Sequence, residues 1–477
     1  MYKIDFKNPI HIYFMGIGGI SMSGLAEILL DQGFIISGSD IKETDLTKIL
    51  AEKGAHIFYG QIAENLNSRP NVPDIDLVVY TAAIKNDNPE YIAMQEKNIS
   101  SITRADLLGQ IMKNYDIAIA VAGTHGKTTT TGMVSEVLLA ADLDTTLTIG
   151  GILSSINGNL RIGKSEYFIT EACEYTDSFL SFFPKIAIIL NIEEDHMDYF
   201  TGIDQIRNSF RDFARLLPED GLLIINGEIK EIETITNGLK CKVLTYGLNP
   251  SFDYSASDII YDNEARPTFT LLANTGAEIM AAARPLSNER LTLGTRGLHN
   301  VLNSLAAITL ADYLMIDRKY VKDALANFGG TKRRFEEKGQ CQGFMVIDDY
   351  AHHPTEVSVT LSAARNYPHR EIWCVFQPHT YTRTKVFLEE FAESLSLADK
   401  IILIDIYAAR ETNTIGISAK DLADKISALG NECYYIPTSE GFDEAEKFIL
   451  ENLKENDLLI TMGAGDVVNI ADNLVGK

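Results

Sequence analysis

The stretch AVAGTHGKTTTT contains the residue types best suited to chemistry on a phosphate group. Gly123 and Gly126 would let the backbone curl so that its N–H groups face phosphate oxygens. Lys127 would place a positive charge beside the β and γ phosphates, and Thr128 would ligate Mg²⁺. Val121 stands where the longer G-x-x-x-x-G-K pattern has glycine, and a polar helix start is the alternative interpretation. Because successive threonines disfavour a helix by propensity alone, we predict a loop that binds the phosphates of a nucleoside triphosphate.

A second glycine-rich motif, GIGGISMSG, lies between a predicted strand and a predicted helix. Gly16, Gly18 and Gly19 would allow the backbone to approach a pyrophosphate at the helix N-terminus. Asp40 ends the next predicted strand, where dinucleotide-binding units place a ribose-binding acid. Ser21 occupies the third glycine position of the G-x-G-x-x-G fingerprint, which argues against NAD but not against another diphosphate. The motif therefore predicts a nucleotide-diphosphate site, with a tight strand-to-helix turn as the alternative.

Acidic residues follow two further predicted strands. Glu171 and Glu174 lie in TEACEYTDSF, and Asp195, His196 and Asp198 lie in LNIEEDHMDYF. Ligands gather at the carboxyl ends of parallel strands, and carboxylate and imidazole groups beside a phosphate loop suit hard divalent ions. The two segments together predict a divalent metal site, whereas either segment alone would also fit a solvated acidic loop.

Most of the nine histidines lie in short motifs that follow a predicted strand or open a predicted helix. These histidines are His125, His196, His299, His352, His353 and His379. Isolated core histidines would not be distributed in this way, so the pattern indicates a functional site. Arg333 and Arg334 stand in a predicted hinge, TKRRFEE, and Arg383 in HTYTR is suited to a substrate carboxylate. A surface charge pair is the alternative for each group of arginines.

The composition is that of an ordinary globular protein, and it excludes several classes of function. The chain has 477 residues and a net charge of −24, which argues against binding to nucleic acid or to an anionic membrane. No apolar run approaches the roughly 18 residues that span a bilayer, and the N-terminus lacks the pattern of a signal peptide. Five cysteines occur without a CxxC pair, which fits a reducing compartment. We therefore expect a soluble, cytoplasmic protein without membrane insertion.

Strand and helix patterns alternate along most of the chain, which predicts an α/β fold with parallel sheets. The length suggests about three domains, and we place them at residues 1–108, 109–327 and 328–477. The first and third domains are predicted to be Rossmann-like. The central domain is predicted to be a P-loop ATPase-like parallel sheet with a small antiparallel patch at about residues 240–295. The segment NFGGTKRRFEEKG is interpreted as the hinge before the third domain.

Several motifs occur in an order that is typical of one enzyme family. GTHGKT, NIEEDHMD, LHNVLN, RRFE, DDYAHHPTE and FQPHTYTRT resemble the Mur ligases of bacterial cell-wall synthesis, over essentially the whole chain. DDYAHHPTE with FQPH is most similar to the member that uses ATP to join L-alanine to the lactyl carboxylate of UDP-N-acetylmuramate. The related ligase that recycles murein tripeptide is the nearest alternative. A nucleotide-dependent dehydrogenase and an ATP-driven switch are alternatives from other classes.

The resemblance implies a binding role for each motif. UDP-sugar binding in the first domain would involve Gly16, Gly18, Gly19, Ser21 and Asp40. ATP binding would involve Gly123, Thr124, His125, Gly126, Lys127, Thr128, Thr129, His299, Asn300, Arg333 and Asp349. Binding of the amino acid would involve His353, His379 and Arg383.

The resemblance also implies the residues nearest the reaction. The catalytic set would be Lys127, Glu171, His196, His352 and Arg383. The metal ligands would be Thr128, Glu171 and His196. They would hold two Mg²⁺ ions, with Mn²⁺ as the alternative ion. Two departures from the family pattern occur: no lysine lies between Lys185 and Lys230 to serve as a carbamylated metal bridge, and Thr380 replaces an arginine of PHRYTR.

Overall fold

The computed structural model describes residues 3–68, 70, 72–81, 83–274 and 289–476. Three β-sheets with covering helices succeed one another along the chain, as the alternation of strand and helix patterns predicts. The α/β fold with three consecutive units is therefore confirmed. Within these residues, no helix is both long enough and apolar enough to cross a membrane.

The first sheet forms a Rossmann-like unit. Its strands are β1 His11–Met15, β2 Ile35–Asp40, β3 His56–Tyr59, β4 Leu77–Tyr80 and β5 Ser101–Thr103. All pairs are parallel, in the order β3-β2-β1-β4-β5. The helices are α1 Ile20–Asp31, α2 Asp45–Glu52, α3 Pro89–Glu96 and α4 Arg104–Met112. The GIGGIS motif thus lies at the carboxyl end of the central strand β1, where ligands bind in such sheets.

The second sheet carries the phosphate loop at its centre. Its strands are β6 Ile117–Ala122, β7 Thr146–Leu153, β8 Gly158–Arg161, β9 Tyr167–Ala172, β10 Ile186–Ile189, β11 Leu222–Asn226, β12 Lys242–Gly247, β13 Tyr254–Tyr261, β14 Pro267–Ala273 and β15 Glu289–Thr292. The helices are α5 Lys127–Ala140, α6 Ile203–Ala214, α7 Glu233–Thr236, α8 Leu298–Tyr313 and α9 Arg318–Asn327. The strand order is β15-β14-β13-β12-β11-β10-β6-β9-β7-β8. Because β6 lies in parallel between β10 and β9, the segments that follow these three strands meet at one edge.

The antiparallel patch of the second sheet differs from the prediction at one end. β12 pairs in parallel with β11, so the patch contains β13, β14 and β15 only. A second antiparallel pair, β7 with β8, forms the opposite edge. A short apolar strand has the same residue pattern in either orientation, and the connection that sets its direction is a tertiary feature. Residues 275–288 of the predicted patch lie outside the described residues.

The third sheet is mixed. Its strands are β16 Glu336–Cys341, β17 Phe344–Asp349, β18 Ile372–Phe376, β19 Lys400–Leu403, β20 Glu432–Tyr435 and β21 Leu458–Met462, in the order β16-β17-β21-β18-β19-β20. The helices are α10 Pro354–Ala364, α11 Tyr381–Val386, α12 Leu388–Leu395, α13 Ala419–Ala428, α14 Asp443–Asn452 and α15 Val468–Val475. The antiparallel edge strand β16 falls in the segment interpreted as a hinge. Its sequence EEKGQC has no alternation of apolar and polar residues, so backbone pairing alone defines it.

The first two units share an apolar core. Ile111 of α4 belongs to the same buried cluster as Phe168 and Phe179 of the second unit. A Cβ atom on Gly109 would lie 1.9 Å from the Ser181 carbonyl oxygen, so α4 needs glycine for this close approach. The buried residues of the two clusters under the third sheet all come from the third unit. The predicted boundary after residue 108 falls inside α4, and the domain boundaries remain predictions.

Candidate active site

The predicted phosphate loop connects β6 to α5. Gly126 is the N-cap of α5 with a φ of 82°, in the left-handed region that favours glycine. A Cβ atom on Gly123 would lie 2.9 Å from Cβ of Leu190, so this position also requires glycine. The threonines Thr129–Thr131 are buried in the first turns of α5. These side chains therefore lie in the interior and not on an exposed face of the helix.

Lys127 folds back over this loop. Its Nζ donates to the carbonyl oxygens of Gly123 at 2.5 Å and Thr124 at 3.1 Å, and it lies 3.1 Å from Oε2 of the buried Glu174. Burial works against the charge on Lys127, but the attraction of Glu174 outweighs it and raises the pKa of the ammonium group above its ordinary value. Lys127 is therefore a permanent cation at the loop. Glu174, predicted for the metal site, is its counter-ion here.

Thr128 and Glu171 meet as the metal-site prediction requires. Thr128 Oγ1 donates to Oε2 of Glu171 at 3.1 Å, and the Gly150 N–H donates to Oε1 at 2.5 Å. His196 lines the same cavity, and its backbone N–H donates to Oδ1 of Asp195 at 2.7 Å. A hydroxyl, a carboxylate and an imidazole thus face one space, a donor set that fits Mg²⁺ with phosphate oxygens. That these side chains hold a metal remains a prediction.

Two cavities meet at the phosphate loop. The first cavity, of about 760 Å³, is lined among others by Thr129, His299, Asn300, Asn303 and Asp349. The second cavity, of about 640 Å³, is lined among others by Lys127, Thr128, Glu171, His196 and His352. The residues common to both are His125, Gly126, Arg334 and Glu356, which we call the shared wall. The structure therefore brings most of the predicted residues to two adjoining spaces.

Helix α8 forms one side of the first cavity. Burial, with a smaller effect of Arg334, lowers the pKa of His299 to about 4, so its ring is neutral at pH 7. Asn300 Nδ2 donates to the Arg296 carbonyl oxygen at 2.7 Å, and Asn300 Oδ1 accepts from Asn303 Nδ2 at 3.1 Å. Asn303 is absent from the predicted set. Its spacing of three residues from Asn300, which puts both on one helix face, is a signal that would have found it.

The two hinge arginines have different surroundings. Arg333 Nε donates to Oδ2 of Asp348 at 2.9 Å, and its terminal nitrogens donate to the carbonyl oxygens of Gly463 and Gly465. Its guanidinium is thus engaged within the third unit, although Arg333 also borders the second cavity. Arg334 lines both cavities. Binding of phosphate by Arg333 remains a prediction, and Arg334 is the more accessible charge in this conformation.

Asp349 ends β17, His352 follows this strand, and the two side chains reach different cavities. Asp349 lines the first cavity, accepts the Phe335 N–H at 2.8 Å, and has its pKa raised to about 6 by burial. His352 lines the second cavity, with Nδ1 at 3.0 Å from the Tyr350 carbonyl oxygen. This contact assigns the ring proton to Nδ1 and leaves Nε2 as an acceptor. Burial lowers the pKa of His352 to about 4.

His353 joins the third unit to the second. As the N-cap of α10, its Nδ1 accepts the Thr355 N–H at 3.3 Å, and its Nε2 donates to the Glu194 carbonyl oxygen at 3.0 Å. Beside it, Thr355 Oγ1 donates to Oε2 of Glu193 at 2.7 Å. Both ring nitrogens of His353 are therefore occupied by the protein itself. Contact of His353 with the amino acid remains a prediction. In this geometry, neither ring nitrogen is free to make that contact.

The buried His353 makes this interface sensitive to acid. Burial lowers its pKa to about 4, whereas an unfolded histidine has a pKa of about 6.5. Below pH 6.5 the unfolded chain therefore binds more protons, and His353 loses about 1 kcal/mol of stabilisation between pH 7.5 and pH 5.5. We expect urea unfolding of His353→Gln to lose less stability over this interval than the wild type. The exposed His56→Gln is the matched control, and an equal loss in His353→Gln and wild type would contradict the prediction.

Arg383 is paired across the same interface. Its Nε and Nη2 donate to Oδ1 of Asp195 at 3.3 and 2.8 Å, and its Nη1 donates to Nδ1 of His379 at 3.1 Å. Burial would raise the pKa of Asp195, but the charge of Arg383 holds that pKa well below its usual range. Arg383 thus binds a carboxylate, as its residue type predicts, but here the carboxylate belongs to the protein.

The N-terminal glycine turn, predicted to bind a diphosphate, connects β1 to α1. Gly16 has a φ of 79°, and the Gly18 N–H donates to Oδ2 of Asp40 at 2.8 Å. Ser21 Oγ accepts from Nη1 of Arg104 at 3.0 Å. Arg104, absent from the predicted set, makes no ion pair within the described part of the chain. Its charge lies beside the predicted diphosphate site, and no local pattern links it to a motif so distant in sequence.

Three family models match successive parts of this chain. The Mur ligase family, catalytic domain, matches residues 11–116, the Mur ligase middle domain matches residues 121–311, and the Mur ligase, glutamate ligase domain, matches residues 333–465. A relative from Agathobacter rectalis named UDP-N-acetylmuramate–L-alanine ligase is 55% identical over 477 residues, which is 100% of both chains. The chain belongs to the Mur ligase family.

Further Mur ligases are similar over nearly the whole length. A UDP-N-acetylmuramate–L-alanine ligase from Clostridium botulinum (strain Kyoto / Type A2) is 48% identical over 98% of both chains. The solved structure of UDP-N-acetylmuramate-alanine ligase from Thermotoga maritima has a TM-score of 0.77 at 30% identity, and a murein peptide ligase from Psychrobacter arcticus has 0.68 at 26%, each covering 98% of both chains. The resemblance to the Mur ligases is therefore confirmed. The roles of individual residues remain predictions.

Proposed function

We propose that this Mur ligase joins L-alanine to the lactyl carboxylate of UDP-N-acetylmuramate through an acyl phosphate, releasing ADP and phosphate. The observation that carries this proposal is the full-length identity of 55% to a relative named for that activity. The phosphate loop between two cavities supports it, because one cavity can hold ATP and the other the acceptor carboxylate. The product, UDP-N-acetylmuramoyl-L-alanine, would serve peptidoglycan biosynthesis in the cytoplasm, and through the cell wall would affect cell shape and division.

The first step would activate the carboxylate. A free carboxylate is a poor acyl donor because its leaving oxygen is too basic. Transfer of the γ-phosphoryl group of ATP to this oxygen gives an acyl phosphate, whose leaving group is phosphate. Lys127 and the loop N–H groups would stabilise the charge on the transferring oxygens through position alone. Thr128, Glu171 and His196 would hold Mg²⁺, which would neutralise phosphate charge. Two ions, and Mn²⁺ as a substitute, are part of this proposal.

The second step would form the amide bond. The neutral amine of L-alanine attacks the carbonyl carbon and forms the C–N bond, which gives a tetrahedral intermediate. This intermediate collapses as the C–O bond to phosphate breaks, and the proton lost by the nitrogen leaves with the phosphate. His352, which lines the second cavity, would accept a hydrogen bond from the amine at Nε2, the ring nitrogen that its contact with the Tyr350 carbonyl leaves unprotonated. Its low pKa suits it to orient the amine rather than to keep the proton. The contacts between the second and third units would exclude water, which would otherwise hydrolyse the acyl phosphate.

Arg383 would bind the carboxylate of the incoming L-alanine once that group replaces Asp195. A guanidinium matches a carboxylate with two parallel hydrogen bonds, which a lysine ammonium cannot do. We expect Arg383→Lys to raise the KM for L-alanine about tenfold or more, with the KM for ATP changed less than about twofold. Initial rates at saturating UDP-sugar measure both values. An equal rise in the two KM values would mean that Arg383 only holds the interface.

Substrate requirement separates this proposal from the alternatives. We expect phosphate release from ATP to require both UDP-N-acetylmuramate and L-alanine, with L-alanine preferred over the tripeptide L-alanyl-γ-D-glutamyl-meso-diaminopimelate. Preference for the tripeptide would indicate the recycling ligase, which the lower similarity to the murein peptide ligase disfavours. Phosphate release without either acceptor would indicate an ATP-driven switch. Membership of the Mur ligase family already disfavours the dehydrogenase.

A further inference from the structure

Among the residues of the shared wall, Glu356 is the one carboxylate. It lies in the first turn of α10, and its side chain is only 13% exposed. Its Oε1 lies 3.3 Å from His125 Nδ1 and 3.7 Å from Arg334 Nη1. Its Oε2 accepts the backbone N–H of His352 at 3.0 Å and lies 3.3 Å from Nδ1 of the same residue. One carboxylate thus contacts three side chains that border the cavities.

These contacts cross between two units of the fold. His125 belongs to the phosphate loop of the second unit, whereas Arg334 and Glu356 belong to the third. The backbone of His125 is held within the second unit, because its N–H donates to Oδ1 of Asn191 at 2.7 Å and its carbonyl accepts from Nδ2 at 3.0 Å. Only the imidazole ring reaches the third unit. Docking of Glu356 against the loop therefore holds the Nδ1 side of this ring.

The His125 ring carries a positive charge in this arrangement. Its Nε2 lies 3.6 Å from Oε2 of Glu193, its Nδ1 faces Glu356, and its ring centroid is 4.7 Å from that of His353. Burial alone would lower the pKa of His125, but the two carboxylates raise it to about 9. The shared wall thus presents two cations, His125 and Arg334, on either side of one carboxylate.

We propose that Glu356 is a positioning residue for phosphoryl transfer, holding the His125 ring and the Arg334 guanidinium at the boundary that the phosphoryl group must cross. The inference rests on the proposed function, in which ATP and the acceptor occupy adjoining cavities. Two cations that contact the same carboxylate oxygen repel each other, and the carboxylate between them keeps both in place. Because its oxygens are surrounded by donors, Glu356 acts through these neighbours rather than on the phosphate. The arrangement also couples the His125 ring, but not the backbone of the phosphate loop, to docking of the third unit.

Glu356→Gln tests this role, because it keeps the shape of the side chain and removes its charge. We expect kcat to fall about tenfold or more, with the KM for UDP-N-acetylmuramate changed less than about twofold. We also expect the alkaline limb of the kcat–pH profile to move down by about one unit, because His125 then faces Glu193 and the neutral His353 without its second carboxylate. Glu389→Gln, which breaks the pair with Lys425 within the third unit, is the matched control and should retain wild-type kcat and pH limb.

A double-mutant cycle tests the coupling across the units. We expect Glu356→Gln combined with His125→Gln to lose no more activity than the worse single variant, because both remove one arrangement. The inference would be overturned if the double variant lost activity by the product of the two single-variant factors. A wild-type kcat and alkaline pH limb in Glu356→Gln would also overturn it. Thermal melting checks that each variant is folded. If Glu356→Gln unfolds, Glu356→Asp is used in its place. We expect its kcat to fall because the shorter side chain cannot reach His125. Wild-type kcat in Glu356→Asp would also overturn the inference. Failure of the proposed function would appear separately, as wild-type turnover without UDP-N-acetylmuramate or L-alanine.

Discussion

Lys127→Ala is expected to abolish ligation while leaving binding of the UDP-sugar intact. Lys127 is the permanent cation of the phosphate loop, and the predicted UDP-sugar residues lie on a different sheet. Loss of a charge positioned for phosphoryl transfer lowers kcat by about 10³-fold or more. Initial rates of phosphate release measure kcat, and titration calorimetry with UDP-N-acetylmuramate measures binding. Lys240→Ala removes an exposed lysine of the same unit and is the control.

Lys127→Ala also leaves the buried counter-ion of Lys127 without a partner, and this loss of stability can be separated from the loss of activity. Removal of Lys127 leaves Glu174, which is 2% exposed, without its partner, and an unpaired buried charge destabilises a protein by about 3–5 kcal/mol. Lys127→Met with Glu174→Gln removes both charges. We expect this double variant to recover thermal stability but not activity. Recovery of activity as well would show that Lys127 serves stability, and an equal collapse of sugar affinity in Lys127→Ala would contradict the assignment of separate sites.

Glu171→Gln is the second substitution expected to have a large effect. The carboxylate accepts from Thr128 Oγ1 and from the Gly150 N–H, so its two oxygens are fixed at the mouth of the phosphate loop. An amide keeps the shape but ligates Mg²⁺ far more weakly, because hard divalent ions prefer charged oxygen ligands. We expect kcat to fall about 10²-fold or more, and the Mg²⁺ concentration for half-maximal rate to rise. Activity assays over a Mg²⁺ titration measure both.

A control for Glu171 lies just before the same strand. Glu166 is exposed and immediately precedes β9, and Glu166→Gln should leave the Mg²⁺ dependence unchanged. The melting temperature of Glu171→Gln should remain close to that of the wild type, because the amide can still accept the Gly150 N–H. An unchanged Mg²⁺ requirement with a normal kcat would exclude Glu171 from the metal site.

The residues at the strand ends show which features of the candidate site could be predicted from local sequence patterns. The turn after β6 could be predicted because glycines between a strand and a helix favour a tight turn, and Gly126 has a φ of 82° at the start of α5. The acidic residues at the ends of β9 and β10 could be predicted to lie near one another, because parallel strands place their carboxyl ends at the same edge of a sheet. β16 was not predictable, since a polar edge strand is defined by backbone pairing and not by side-chain periodicity.

Residue types and short spacings were enough to predict the α/β class, a loop for phosphate, and the histidines and arginines of the candidate site. The family was predicted from the resemblance of several motifs. Which of these side chains meet depends on the tertiary fold. It paired Arg383 with Asp195, occupied both nitrogens of His353, brought Arg334 rather than Arg333 to both cavities, and placed Glu356 against the phosphate loop. Contacts of this kind join distant segments, and they depend on how the third unit docks on the second, which no local pattern encodes.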